Sequence, residues 1–345
     1  MGTASPPWML LLFAFSGCER PISQVTGLEF LDPDPLVSPD DTGQPAPSFA
    51  VTQIAGTTDD DGFGSAIAAN LTTAWIGAPH GQPATVYQYS DGALSVAFTA
   101  AGRAGSHLSL TSEGLWVGAP LTGDGAGAVL DQEGQVRIEG TSGVGIALSA
   151  AGGGTYAHQN GWSALDGRGA ILPSRPTAIA EANGVIGIGL AQGEVALVID
   201  ARPLARSTPY DEAGFALAVG DVDGDGTVDW LLGAPGSGVV TAHNSADLSL
   251  IRTWTGVGRF GASMAVCDLD QNGSDDLVVG APLAGSSGSV HWFPSFGVES
   301  APLASEWPLV RGLGTALDCA GDVLYAGAPG DPTVRGAVLR IQRDG

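Results

Sequence analysis

Short apolar runs separated by glycine-rich polar breaks recur along most of the chain. The runs AWI, LWV, DWLL, DLVV and LYA each lead into Gly-Ala-Pro, at Gly77, Gly118, Gly233, Gly280 and Gly327. Runs this short, bounded by turn residues, predict buried strands rather than helices. After each Gly-Ala-Pro a turn leads into a strand-like segment, as in PATVYQYS, GSGVVTAHN, SGSVHWFP and RGAVLRIQ, and then a more variable fourth strand. No long helical periodicity interrupts the pattern.

The Gly-Ala-Pro intervals are 41, 115, 47 and 47 residues, and the long one divides into three steps of about 38. Two degenerate copies are therefore expected between Pro120 and Gly233. One of them reads TAIAEANGVIGIGLAQGEVALVID, three strands joined by the turn dipeptides Asn183-Gly184 and Gln192-Gly193. A second marker, an apolar residue followed by glycine, precedes the copies at Gly64, Gly105, Gly145, Gly214, Gly261 and Gly314. Four strands per copy over residues 50 to 345 give about 42 residues per repeat, which predicts an all-β, seven-bladed β-propeller of four-stranded antiparallel blades.

The spacing between the two markers locates candidate chemistry. It is 13 residues in the first, second and last copies but 19 in those starting at Gly214 and Gly261. The added residues fall in the hairpin between two strands and carry DVDGDGTVD (Asp221 to Asp229) and DLDQNGSDD (Asp268 to Asp276). Calcium needs six to eight oxygens at about 2.3 to 2.6 Å, and alternate acidic positions turn several carboxylates inward together. Asp221, Asp223, Asp225 and Asp229 stand at positions 1, 3, 5 and 9, with the Thr227 carbonyl at 7 and Gly226 at the turn. Asp268, Asp270, Asn272 and Asp276 repeat the pattern with the Ser274 carbonyl and Gly273, one carboxylate being replaced by an amide. Two calcium sites are expected, the second weaker. Position 12 is Leu232 or Val279, so the bidentate glutamate of an EF-hand is missing.

The apolar-Gly marker, the Gly-Ala-Pro and the acidic loops between them resemble the FG-GAP repeats of integrin α-subunit propellers. The resemblance spans residues 50 to 345 and is weakest from Ser142 to Asp200. It implies a seven-bladed propeller with calcium in some blades, and fold more firmly than function, because related repeats accompany phospholipases, lyases and bacterial surface proteins.

Composition narrows the partners. A formal charge of -23 disfavours nucleic acid, and all 13 basic residues are arginine, so no lysine can form a Schiff base or hold a P-loop phosphate. Trp8 to Phe15 is an apolar run too short to span a bilayer, which predicts a signal peptide over residues 1–17. It ends in Phe15-Ser16-Gly17-Cys18, which resembles the lipobox of bacterial lipoproteins. The resemblance implies a lipid on Cys18 and an extracytoplasmic protein at the outer membrane, periplasmic or surface-exposed; plain cleavage of the signal is the alternative. Residues 18–48, rich in Pro and Asp, form a tether, and the propeller occupies 49–345. Cys267 and Cys319 are either bridged or buried as small hydrophobes.

Gly256-Val257-Gly258-Arg259-Phe260-Gly261 matches a dinucleotide fingerprint literally, but no helix follows and it ends in the repeat marker. The five histidines lack metal-helix spacing, and no nucleophile pairs with a base. The expectation is a calcium-stiffened module binding an extracellular or periplasmic protein or glycan, reaching the membrane through its lipid alone. A polysaccharide lyase or esterase with its site on a propeller face, and a structural subunit of an envelope complex, are the alternatives.

Overall fold

The computed structural model describes residues 48–344, apart from 122–125, 141–142, 150–153, 160, 166, 168, 173, 183–184, 191–193, 200–201, 208–209, 298–301, 306–309 and 332. The signal segment, Cys18, all but the last residue of the tether, and the Asn183-Gly184 and Gln192-Gly193 turns lie outside the described residues. Contacts divide the chain into Met1–Ala46 and Pro47–Gly345, and every described residue belongs to the second unit.

The described strands form four-stranded antiparallel sheets, each a meander in chain order with one exception. The first holds β2 (Ala66–Ala69), β3 (Thr73–Ala78), β4 (Ala84–Ser90) and β5 (Ala93–Ala100). Next come β6 (His107–Thr111), β7 (Gly114–Ala119), β8 (Ala128–Leu130) and β9 (Val136–Glu139). The degenerate stretch supplies β10 (Leu148–Ser149), β11 (Thr155–His158), β12 (Gly161–Ala164) and β13 (Gly169–Ile171), then β14 (Pro176–Ala182), β15 (Val185–Leu190), β16 (Glu194–Ile199) and β17 (Arg202–Ser207). The acidic loops interrupt the sheets of β18 (Ala216–Gly220), β19 (Asp229–Ala234), β20 (Val239–His243) and β21 (Leu250–Thr255), and of β22 (Ser263–Cys267), β23 (Asp276–Ala281), β24 (Ser289–Phe293) and β25 (Ala304–Ser305). The exception is the sheet of β26 (Ala316–Ala320), β27 (Val323–Ala328) and β28 (Ala337–Arg343), whose outer strand is β1 (Phe49–Ala55), from the other end of the chain. Phe49 pairs with Arg343 and Ala55 with Ala337.

The first strands neighbour one another cyclically, β2 beside β6, then β10, β14, β18, β22, β26 and back to β2. These sheets are the blades of an all-β propeller. The hydrophobic core is distributed between blades: Ile76 and Tyr87 pack with Tyr325 and Val338 across the closure, and Leu231 and Val240 pack with Leu277 and Val279. Second strands are largely buried, and Asp229–Ala234 and Asp276–Ala281 wholly so, because each is covered on both faces by neighbouring blades. Fourth strands lie at the rim, and Leu250–Thr255 buries only Trp254.

The two sequence markers are the halves of one contact. A Cβ on Gly280 would stand 2.1 Å from the Gly314 carbonyl oxygen of the next blade, and one on Gly327 would stand 2.1 Å from that of Gly64, across the closure. Only glycine lets these backbones approach so closely. In the degenerate blade Gly189 has the same role, its absent Cβ facing the Gly214 oxygen. Cys267 and Cys319, on the neighbouring first strands β22 and β26, are joined in a disulfide with Cα atoms 6.4 Å apart.

Candidate functional site

In such a meander the turns from first to second and from third to fourth strand lie at one end of a blade; the other turns and the passages between blades lie at the opposite end. Both acidic loops are first-to-second turns, so they share one end of the ring on adjacent blades. Where β2 and β3 are joined by three residues, β18 and β19 are joined by the eight residues Asp221 to Val228.

Each loop is wound around its own carboxylates. Asp221 accepts from the backbone N–H of Gly224 at 2.8 Å and of Gly226 at 2.9 Å, and Asp268 from those of Asn272 and Gly273, both at 2.9 Å. Gly226 and Gly273 adopt φ of 84° and 89°, the left-handed geometry expected at position 6. At position 4 the first loop has Gly224 at φ 76°, whereas the second holds Gln271 at φ 58°.

The winding brings three carboxylates of each loop together. One oxygen each from Asp221, Asp223 and Asp225 lie within 4.8 Å of one another, as do those of Asp268, Asp270 and Asp276. Asp229 stands outside the first trio. It is fully buried at the start of β19 and accepts from Val222 N at 3.1 Å and Ser245 N at 3.3 Å. Asp276 is equally buried but joins its trio, while accepting from Leu269 N, Ser295 N and the Trp292 indole N–H at 2.8 to 3.0 Å. Asn272 accepts from Ser274 N at 2.8 Å and gives its amide to Asp270. Thr227 donates both its backbone N–H and its hydroxyl to Asp225.

Sequence reasoning missed Ser245, Ser295 and Trp292. The serines sit in the third-to-fourth turns and act through backbone N–H groups, which leave no mark on residue type. Trp292 reads as ordinary core in the SGSVHWFP strand. A cavity of about 450 Å³ separates the loops, lined by Asp221, Asp223, Ser274, Ser295 and Phe296.

Electrostatics sort the carboxylates. The two Thr227 hydrogen bonds pull the Asp225 pKa below its usual value. Burial raises Asp229, Asp270 and Asp276, and in each a neighbouring carboxylate adds to the rise: Asp223 for Asp229, Asp268 for Asp270, Asp270 for Asp276. A hard cation would relieve that repulsion, and the donors that converge are all oxygens, so the residues fit such an ion.

Among the described residues nothing comparable points to a nucleophile. Ser289 Oγ lies 2.7 Å from His291 Nε2, but Ser289 is buried. Thr241 lies 3.1 Å from His243 in the preceding blade, two positions further along the third strand, and is buried as well. Trp116 and Trp230, in the second strands that lead into Gly-Ala-Pro, are buried; Trp75, in the same place in the first blade, is half-buried.

Fold and repeat together define a β-propeller protein. Within it, residues 260–291 match the model of the FG-GAP repeat, which spans the second acidic loop. Among solved structures, virginiamycin B lyase from Staphylococcus aureus superposes with a TM-score of 0.65 at 13% identity, covering 86% of this chain and 99% of that one. The Cps50 (Swd1) β-propeller domain of Myceliophteria thermophila gives 0.59 at 13%, covering 86% and 99%. At such identities the likeness is one of fold. No curated protein sequence matches the chain.

Proposed function

We propose that this chain is a calcium-binding, seven-bladed propeller, held at the bacterial cell envelope by a lipid on Cys18, that acts as a binding module for an extracytoplasmic protein or glycan. The observation that carries the calcium reading is the convergence of three carboxylates in each of two adjacent loops. Asp221, Asp223 and Asp225 would hold one ion, with Asp229 and the Thr227 carbonyl completing its shell. Asp268, Asp270 and Asp276, with Asn272 and the Ser274 carbonyl, would hold the other. Each ion ties the turn between two inner strands, a structural contribution rather than a catalytic one. Seven blades is the count supported by the cyclic order of the first strands.

The binding reading is supported by the rigid, closed ring and by the absence, among the described residues, of an accessible nucleophile paired with a base. The test is a screen of the purified chain against envelope proteins and glycans, with and without a calcium chelator. Specific binding that falls on chelation is the expected result; turnover of a glycan in the same screen would replace the binding module by a lyase or esterase.

A further inference from the structure

At the end of the ring opposite the acidic loops, the residue two places before each marker glycine adopts the left-handed conformation. Those residues are Gly62, Arg103, Gly143, Glu212, Arg259 and Gly312. A side chain at such a position is disfavoured, so the three that carry one need a reason. For two of them it is visible: Arg259 Nη2 lies 2.8 Å from Glu212 Oε2 and ties adjacent blades together. Arg103, at φ 60°, is exposed and makes no ion pair among the described residues.

The positions that would offer Arg103 a carboxylate from either neighbour are Gly62 and Gly143, and the space beside it is open. A cavity of about 510 Å³ with His80, Gln82 and Pro83 on its wall lies on one side. One of about 280 Å³ with His107, Gln159 and Arg175 lies on the other. Arg103 and Leu121 line both. The glycines are required by this arrangement: a Cβ on Gly62 would stand 2.8 Å from His80 Nδ1, and one on Gly143 would stand 2.9 Å from Gln159 Cγ. No Asp or Glu is among the described residues of either wall.

We propose that this two-lobed cleft binds an acidic peptide through a single carboxylate, gripped by Arg103 and Arg175, with Leu121 against an adjacent aliphatic side chain. The proposal rests on the binding-module reading and names its partner's chemistry. Two guanidinium groups with no Asp or Glu among the described residues of the walls, in a chain of charge -23, form a local cationic site that matches a planar carboxylate. The surrounding negative charge repels a polyanion, so the charge taken up is confined to one group. His107 enters as a neutral hydrogen-bonding group, since burial and then Arg175 push its pKa down to about 4. The described walls carry no Phe, Tyr or Trp to offer a flat platform to a sugar ring, whereas Pro79, Pro83 and Leu121 offer rounded aliphatic contacts.

The test is an array of blocked tripeptides with Asp or Glu at the centre, their Asn and Gln counterparts, and neutral and uronate-bearing oligosaccharides, probed with the full chain. Acidic tripeptides should bind at least about tenfold more tightly than their amides, the ratio expected for a charged hydrogen-bonded pair. Arg103→Gly should abolish that preference while keeping or raising the melting temperature, because glycine suits the left-handed backbone. Arg175→Ala should weaken it severalfold. Equal binding of acid and amide, full binding by Arg103→Gly, or a preference for uronates would each overturn the proposal. Glycan binding without peptide binding would overturn it and leave the binding module standing; no binding to the array or to envelope components would remove both.

Discussion

Asp223 and Asp318 show how one residue type is put to different uses. Asp223 contributes an oxygen to a convergent trio on a solvent-facing loop. If affinity is near ~0.1 mM, millimolar calcium would stabilise the chain by about 1.4 kcal/mol per site. Asp223→Ala should then lower the melting temperature by roughly 2–4 °C in calcium and change little in chelator. Equal loss in both conditions, read by calorimetry, would contradict the metal assignment. Asp318, on β26, accepts from Ala69 N at 2.7 Å. Burial raises its pKa to about 6 from 3.8, with the Ala69 and Cys319 backbone hydrogen bonds acting the other way. The folded chain thus holds this proton more tightly than the unfolded one. The resulting stability is complete below about pH 4 and is lost as pH rises through about 6. Asp318→Asn should remove that loss, so its stability relative to the parent should improve between pH 4 and 6 in thermal melts. His107 acts in the opposite sense: its pKa, lowered to about 4 from 6.5, makes stability fall as pH drops through the same range.

At the scale of the element, the strand and its turn were the legible units. Apolar runs before Gly-Ala-Pro became the buried second strands, and the longer marker spacing became the two acidic loops, because both are set by local composition. The contact between Gly280 and the Gly314 oxygen was visible only as two unrelated motifs, since it joins residues of different blades. Gly189 escaped notice because VIGIGL lacks the Ala-Pro that made the other copies conspicuous. The position-9 aspartates were placed in the metal set by spacing, yet Asp229 is engaged with Val222 and Ser245, a use that depends on a turn elsewhere in the blade. The disulfide was an open alternative because bridging depends on Cys267 and Cys319 meeting across neighbouring blades. Gly280→Ala should cost about 3 kcal/mol or more, since the obstructing atom is backbone and cannot rotate away. Gly92→Ala, at φ 77° with open space around it, should cost only about 1 kcal/mol. Denaturant midpoints of the two variants would separate close approach from backbone conformation; similar midpoints would remove the interblade explanation.

For the whole molecule the decisive feature is closure, which sequence periodicity did not locate. The repeat was counted as though every blade drew four consecutive strands, but β1 completes the sheet of β26 to β28. A single long-range pairing carries no local signature, so the phase of the repeat relative to the blades stayed hidden. Deleting Phe49–Ala55 should leave β28 as an open edge and produce oligomers or aggregates in size-exclusion chromatography. A monomer with unchanged melting temperature would show that closure contributes little.

The same pairing sets how the ring would carry a pull. Phe49 lies opposite Arg343 at the acidic-loop end, and the strand runs from there towards the end bearing the Arg103 cleft. Tension entering at Ser48, with the far end held by a partner, runs lengthwise down β1, so the rungs between Phe49–Arg343 and Ala55–Ala337 are sheared together rather than peeled apart one by one.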